Sequence, residues 1–257
     1  MVAQSFSLLS KNKSLVLYPI VFDFVALLVG IAVAGFSGGS KITFKLTLNV
    51  GLPSISSVVD QTVMANGVNF SINNPSIPLV MILIFLVFLI IQSFLQAGYI
   101  GLLHEVVQER EVPFDCFLDY GKRFWLRFLG IQLIVTGIMF VAGMLLVFTL
   151  KIVGVILLMI LFLVFRVLYI YWEFTVVVDD CTIGEAFTRS RDYFRNRVPE
   201  TTNIILLIVV INALFAFLVN SLWNPVAFSL NIVAYGFVAS GLQIVLMATL
   251  HKISRSK

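Results

Sequence analysis

A chain of 257 residues that is 60% hydrophobic and only 12% charged is too apolar for a soluble domain, in which about a quarter of residues carry charge. Its charges are also clustered: none lies between Asp60 and Glu105, between Arg127 and Lys151, or between Glu200 and Lys252. Soluble enzyme and nucleic-acid-binding classes are thereby excluded, and the net charge of +4 and pI near 9.1 reflect membrane topology and anionic lipid contact.

A helix rising 1.5 Å per residue needs about 20 apolar residues to cross a hydrocarbon core about 30 Å thick. The first such run, 15–36, follows Lys11 and Lys13 and contains Pro19 and Asp23. Its length and these interruptions read as a span rather than a cleaved signal peptide. Residues 37–77 then form the one sizeable extracytoplasmic segment. In "KITFKLTLNV", Ile42, Phe44, Leu46, Leu48 and Val50 alternate with polar residues, as in a strand. Residues 54–65 read as a short helix and "NGVNFSI" as a second strand, so an α+β cap is expected there. "NFS" at Asn69 has the form of a glycosylation sequon.

Span two, 78–103, ends in "GLLHEVV", and spans three and four cover 124–149 and 152–176. Span four carries Arg166 and Glu173, seven apart and so on one face. After it come Asp179 and Asp180, then "TIGE", a capping box in which Thr182 and Glu185 satisfy each other's backbone N–H groups. An amphipathic helix is expected over 183–198, with Ile183, Phe187, Ser190, Phe194 and Val198 on one face and arginines opposite. Spans five and six, 202–221 and 227–250, are separated by "NSLWNP", and the second ends in "ATLHKIS". His104 and His251 therefore fall at one membrane edge.

Three stretches resemble one another: "SFSLLSKNKSLVLYP" from Ser5, "CFLDYGKRFWLRFLG" from Cys116 and "AFTRSRDYFRNRVPE" from Ala186. Each begins with a small residue and Phe, continues basic, and leads into a span. The expected architecture is a single all-α membrane domain over 1–257. It has six transmembrane helices, arranged as three repeats of an interfacial helix plus a helical hairpin. Lys11, Lys13, Arg110, Lys122, Arg123, Arg127, Arg189, Arg191, Arg195, Arg197, Lys252, Arg255 and Lys257 collect on one side, against Lys41, Lys45 and Lys151 on the other. The positive-inside rule then puts both termini in the cytoplasm of a multi-pass cell-membrane protein.

Two of these stretches, "VVVDDCTIGEAFTRSRDYFRNR" and "FLDYGKRFWLRFLG", carry a resemblance. The chain resembles a broad group of six-span prokaryotic membrane proteins that includes the membrane domain of some bacterial glycerophosphodiester phosphodiesterases. The resemblance covers most of the spans and omits 37–77. It implies the six-span fold; the soluble catalytic domain is absent, so it implies no phosphodiesterase activity.

No HExxH, Walker, GxGxxG or GxSxG motif is present, and no catalytic residue, metal or cofactor is expected. The intramembrane charges Asp23, Arg166 and Glu173 form the candidate polar seam, because ions in hydrocarbon face a partner or a pathway. The depths of Asp23 and Arg166 suggest that they pair, with Glu173 as the competing partner. Phe187, Arg189, Arg191, Arg195 and Arg197 form the candidate cytoplasmic interface, toward anionic headgroups or a cytoplasmic protein partner. Asp179 and Asp180 are weak cation candidates whose competing reading is a solvated helix break. The expected function is non-enzymatic transport of a lipid-like or amphiphilic substrate. The alternatives are a subunit docking a cytoplasmic ATPase and an intramembrane lipid-phosphate enzyme.

Overall fold

The computed structural model describes residues 2–36, 38–45, 47–61, 63–64, 79–110 and 112–255. Among these residues the regular structure is helical: α1 (Val2–Lys11), α2 (Ser14–Ala34), α3 (Leu79–Val107), α4 (Phe114–Leu150), α5 (Ile152–Leu168), α6 (Trp172–Val178), α7 (Ile183–Asn196), α8 (Val198–Ser221) and α9 (Pro225–Ser254). Six stretches are long and apolar enough to cross a membrane, namely α2, α3, α4, α5 with α6, α8 and α9.

Helix α9 is the centre of the bundle. Of its most apolar eighteen-residue window 72% is buried, against 0% for α4 and 6% for α5 with α6. Small residues let neighbours approach it. A Cβ on Gly236 would lie 2.7 Å from the Ile20 side chain, and one on Gly241 2.6 Å from the Phe6 ring. The far part of the α4–α5 hairpin, beyond Ile131, is instead largely exposed, while the start of α4 packs on α3. Its two helices touch closely at Gly154, where a Cβ would fall 2.0 Å from the Leu146 carbonyl oxygen.

Helix boundaries follow the local signals. Thr182 and Glu185 form the expected capping box at α7. Asn224 caps α9 by accepting from the Ala227 N–H at 2.8 Å, and Pro225 opens that helix where its missing N–H costs nothing. The three Phe-led stretches differ from one another. The first forms α1, separated from α2 at Asn12 and Lys13, with Pro19 inside α2 rather than at the joint. The second is no separate helix, because α4 runs unbroken over 37 residues from Phe114. Nothing between Phe114 and Ile131 breaks it, and Phe117, Gly121, Phe124 and Phe128 are buried along one face. The third is α7, set off by Arg197.

Among the described residues the expected α+β cap is not formed: 41–45 and 47–50 make no strand, and of the helix expected over 54–65 they show one 3₁₀ turn at Ile55–Ser57. The second expected strand and Asn69 fall outside the described residues.

Helix α7 buries Ala186, Ser190, Tyr193 and Phe194 and half-buries Ile183 and Phe187, but Val198, expected on the same face, opens α8 and is exposed. Phe187 stacks on Tyr169 and meets Trp172 edge-on, at a ring separation of 5.1 Å. Its face therefore turns toward α5 and α6. Phe187→Asp is expected to cost about 2–3 kcal/mol, combining loss of a half-buried aromatic with a charge placed against its ring neighbours. Arg191→Ala, on the exposed face, should stay within about 0.5 kcal/mol, and thermal unfolding in detergent measures both.

Candidate functional site

Non-helical backbone at membrane depth must find protein partners for its N–H and C=O groups. The described residues of 41–60 do so by entering the bundle as a re-entrant loop. At its mouth, Asn220 near the end of α8 binds both limbs. Its carbonyl oxygen accepts from the Lys41 N–H at 2.8 Å, its side-chain oxygen from the Asp60 N–H at 3.0 Å, and its amide donates to the Val58 oxygen at 3.1 Å.

Going inward, four successive carbonyls each receive a side chain from a different helix. Asn212 of α8 donates to Thr47 O at 2.8 Å and Arg166 Nε of α5 to Leu48 O at 3.2 Å. Gln243 of α9 donates to Asn49 O at 3.0 Å and Gln96 of α3 to Val50 O at 3.4 Å. At the tip, the Gly51 N–H donates back to Gln243 Oε1 at 3.2 Å. The tip lies about 27 Å along α9 from Pro225, at 1.5 Å per residue. Gly51 has φ +90°, a conformation that favours glycine, and a Cβ there would also displace the Gln96 side chain, 2.8 Å away at Nε2.

On the return limb, the buried Asp23 of α2 takes the Ser54 hydroxyl at 2.5 Å and the Ile55 N–H at 2.8 Å, capping the 3₁₀ turn. The expected Asp23–Arg166 pair is therefore not formed. Arg166 pairs with Glu173, the expected competitor, at 2.6 Å, and this ion pair is largely buried. The break between α5 and α6 at residues 169–171 brings these two side chains together from consecutive helices.

Between this loop and α3, α4 and α5 lies a cavity of about 830 Å³. Its polar end carries Thr47, Asn49, Ser54, Ser56, Gln92, Gln96, Gln132, Arg166 and Glu173. Its apolar wall includes Ile131, Val135, Ile156, Met159 and Ile160. Ile156, Met159 and Ile160 are themselves 56%, 67% and 53% exposed, so this wall opens on the surface that faces lipid. Two buried polar atoms at the cavity have no partner among the described residues, Thr47 Oγ1 and Glu173 Oε2. Each such orphan costs about 1–3 kcal/mol until something polar reaches it.

The end bearing both termini is built of ion pairs. Asp180 accepts from Arg123 and from Arg127, the latter at 2.9 Å. The Arg127 hydrogen bond, with the charge of Arg123 beside it, holds the Asp180 carboxyl below its ordinary range. Asp179 accepts from Arg189 at 3.2 Å and from the Tyr193 hydroxyl at 2.9 Å. The carboxylates sequence analysis offered to a cation thus face arginines on separate helices, and among the described residues no three metal-type side chains converge. His104 and His251 do meet, at a ring separation of 6.0 Å. Of the arginine interface, Arg189 and Arg197 are paired within the chain, the latter with Glu200 at 2.6 Å. Arg191 and Arg195 are exposed and form no ion pair among the described residues.

The amides Gln92, Gln96, Gln132, Asn212, Asn220 and Gln243 were missed from sequence. Their signal was available, as neutral hydrogen-bonding side chains within runs free of charge. Six apolar helical stretches closed around an internally satisfied loop define a multi-pass helical membrane protein. The chain belongs to the family described as Domain of unknown function (DUF7847), whose model matches residues 55–253. No curated protein and no solved structure matches, so no relative names a phosphodiesterase membrane domain.

Proposed function

We propose that this protein is a non-enzymatic membrane component that takes an amphiphilic, lipid-like molecule from the bilayer into the cavity beside the re-entrant loop. The observation carrying this reading is the cavity itself. Its volume of about 830 Å³ suits a headgroup with part of a chain, and one end is polar while the other opens toward lipid. The exposed part of the α4–α5 hairpin beyond Ile131 provides the entrance. On this reading the Phe-led stretches are diverged copies of one unit, the second now continuous with its span, since paired-span repeats suit transporters. The basic end faces the cytoplasm by the positive-inside rule, with Arg191 and Arg195 toward anionic headgroups. The lipid-phosphate enzyme is disfavoured because Asp179 and Asp180 are engaged by arginines.

The test is to close the wall. Met159→Trp should block crosslinking of a photoactivatable lipid to residues lining the cavity while leaving thermal stability unchanged. Undiminished crosslinking at the same residues would reject the cavity as the binding site.

A further inference from the structure

The cavity's polar end offers specific unmet groups, and they define a headgroup. Arg166 gives Nε to Leu48 O and Nη1 to Glu173, and its Nη2 meets no acceptor among the described residues. Glu173, with a side chain only 6% exposed, keeps Oε2 buried and without a partner. Thr47 Oγ1 is in the same condition. Gln92 of α3 lines the cavity, lies in a charge-free span, and has no hydrogen bond among the described residues. The cavity thus presents a buried acceptor and a buried hydroxyl that lack partners, with a free guanidinium N–H and the exposed Gln92 amide beside them.

Its formal charge is balanced. Among the described residues, Arg166 and Glu173 are the only acidic or basic side chains in the lining, and they pair with each other at 2.6 Å. A net anion would enter with no counter-charge of its own, and it would have to compete with Glu173 for Arg166 in a poorly hydrated site. A hydroxyl suits both partners at once, donating to Glu173 Oε2 and accepting from Arg166. We infer that the cavity selects an amphiphile whose headgroup is uncharged and polyhydroxylated, of the glycosyl or glyceryl class. This rests on the proposed function, and it adds the chemistry that the polar end recognises.

The experiment uses the full chain in phosphatidylcholine nanodiscs doped equally with monoglucosyl diacylglycerol, phosphatidylglycerol and phosphatidylethanolamine of matched chains. Retained lipids are identified after extraction into detergent. The glucosyl lipid should be enriched about tenfold over phosphatidylglycerol, the ratio one or two hydrogen bonds provide. Gln92→Leu, which removes no hydrogen bond among the described residues, should lower that enrichment severalfold at unchanged melting temperature. Glu173→Gln should lower it too, and if that variant does not fold, Gln92→Leu alone still decides. Preferential retention of phosphatidylglycerol or phosphatidylethanolamine, sensitive to Met159→Trp, would overturn the headgroup inference and leave the cavity reading standing. Enrichment indifferent to Gln92→Leu would also overturn it. If Met159→Trp changes the retention of no probe, the cavity reading fails, and this inference with it.

Discussion

Replacing Arg166 with leucine is expected to destabilise the protein by about 3–5 kcal/mol, the cost of leaving one member of a buried ion pair alone. The Glu173 carboxyl, on a side chain only 6% exposed, would lose its guanidinium partner, and the Leu48 carbonyl would lose its donor at the same time. The double change Arg166→Leu with Glu173→Leu should recover much of the loss, because it removes the stranded carboxylate. It should not recover all of it, because Leu48 O stays unpaired. Thermal unfolding of the two single variants and the double variant in one detergent measures the coupling. Strict additivity would contradict the pair.

Gln243→Leu should be nearly as damaging from the opposite side of the loop. That one amide serves two backbone groups, Asn49 O at 3.0 Å and Gly51 N–H at 3.2 Å. Each costs about 1–3 kcal/mol when left unpaired. The effect should be local before it is global. Hydrogen exchange at residues 48–51 should rise sharply at a temperature where α9 stays protected. Gln92→Leu is the internal control, since that side chain supports no backbone group of the loop and should leave its exchange unaltered.

Why the spans were legible while the loop was not has a physical answer. Charge-free runs such as 201–251 leave a chain few ways to avoid the hydrocarbon, and "NSLWNP" supplies the one turn that divides them. The capping box and the inward face of α7 are local and were readable for that reason. Asp23, Arg166 and Glu173 announced themselves because an ion in a membrane needs a partner. Composition cannot say which partner. For Asp23 it proved to include the backbone of residue 55, and for Arg166 the backbone of residue 48, both brought in by a long-range fold.

The alternating pattern of 41–50 was real but its meaning was tertiary. Ile42 and Phe44 are 78% and 67% exposed, while Leu48 and Val50 are buried among the helices. A strand needs a partner ladder, and here side chains of four helices take that role. Period-two hydrophobicity looks the same in either case. The amides Gln96, Asn212 and Gln243 were the discriminating residues, because a cap outside the membrane would have given them nothing to bind.

Cysteine accessibility along 41–60 tests the central claim most directly, namely that this segment lies inside the bundle. In intact membranes, with Cys116 and Cys181 replaced by alanine, a membrane-impermeant thiol reagent should label Ile42→Cys readily. It should leave Leu48→Cys and Val50→Cys unlabelled, and adding Gln243→Leu should expose both. Uniform labelling from residue 42 through residue 50 in the otherwise unaltered protein would mean that the segment lies outside the bundle, contradicting both the loop and the cavity it forms.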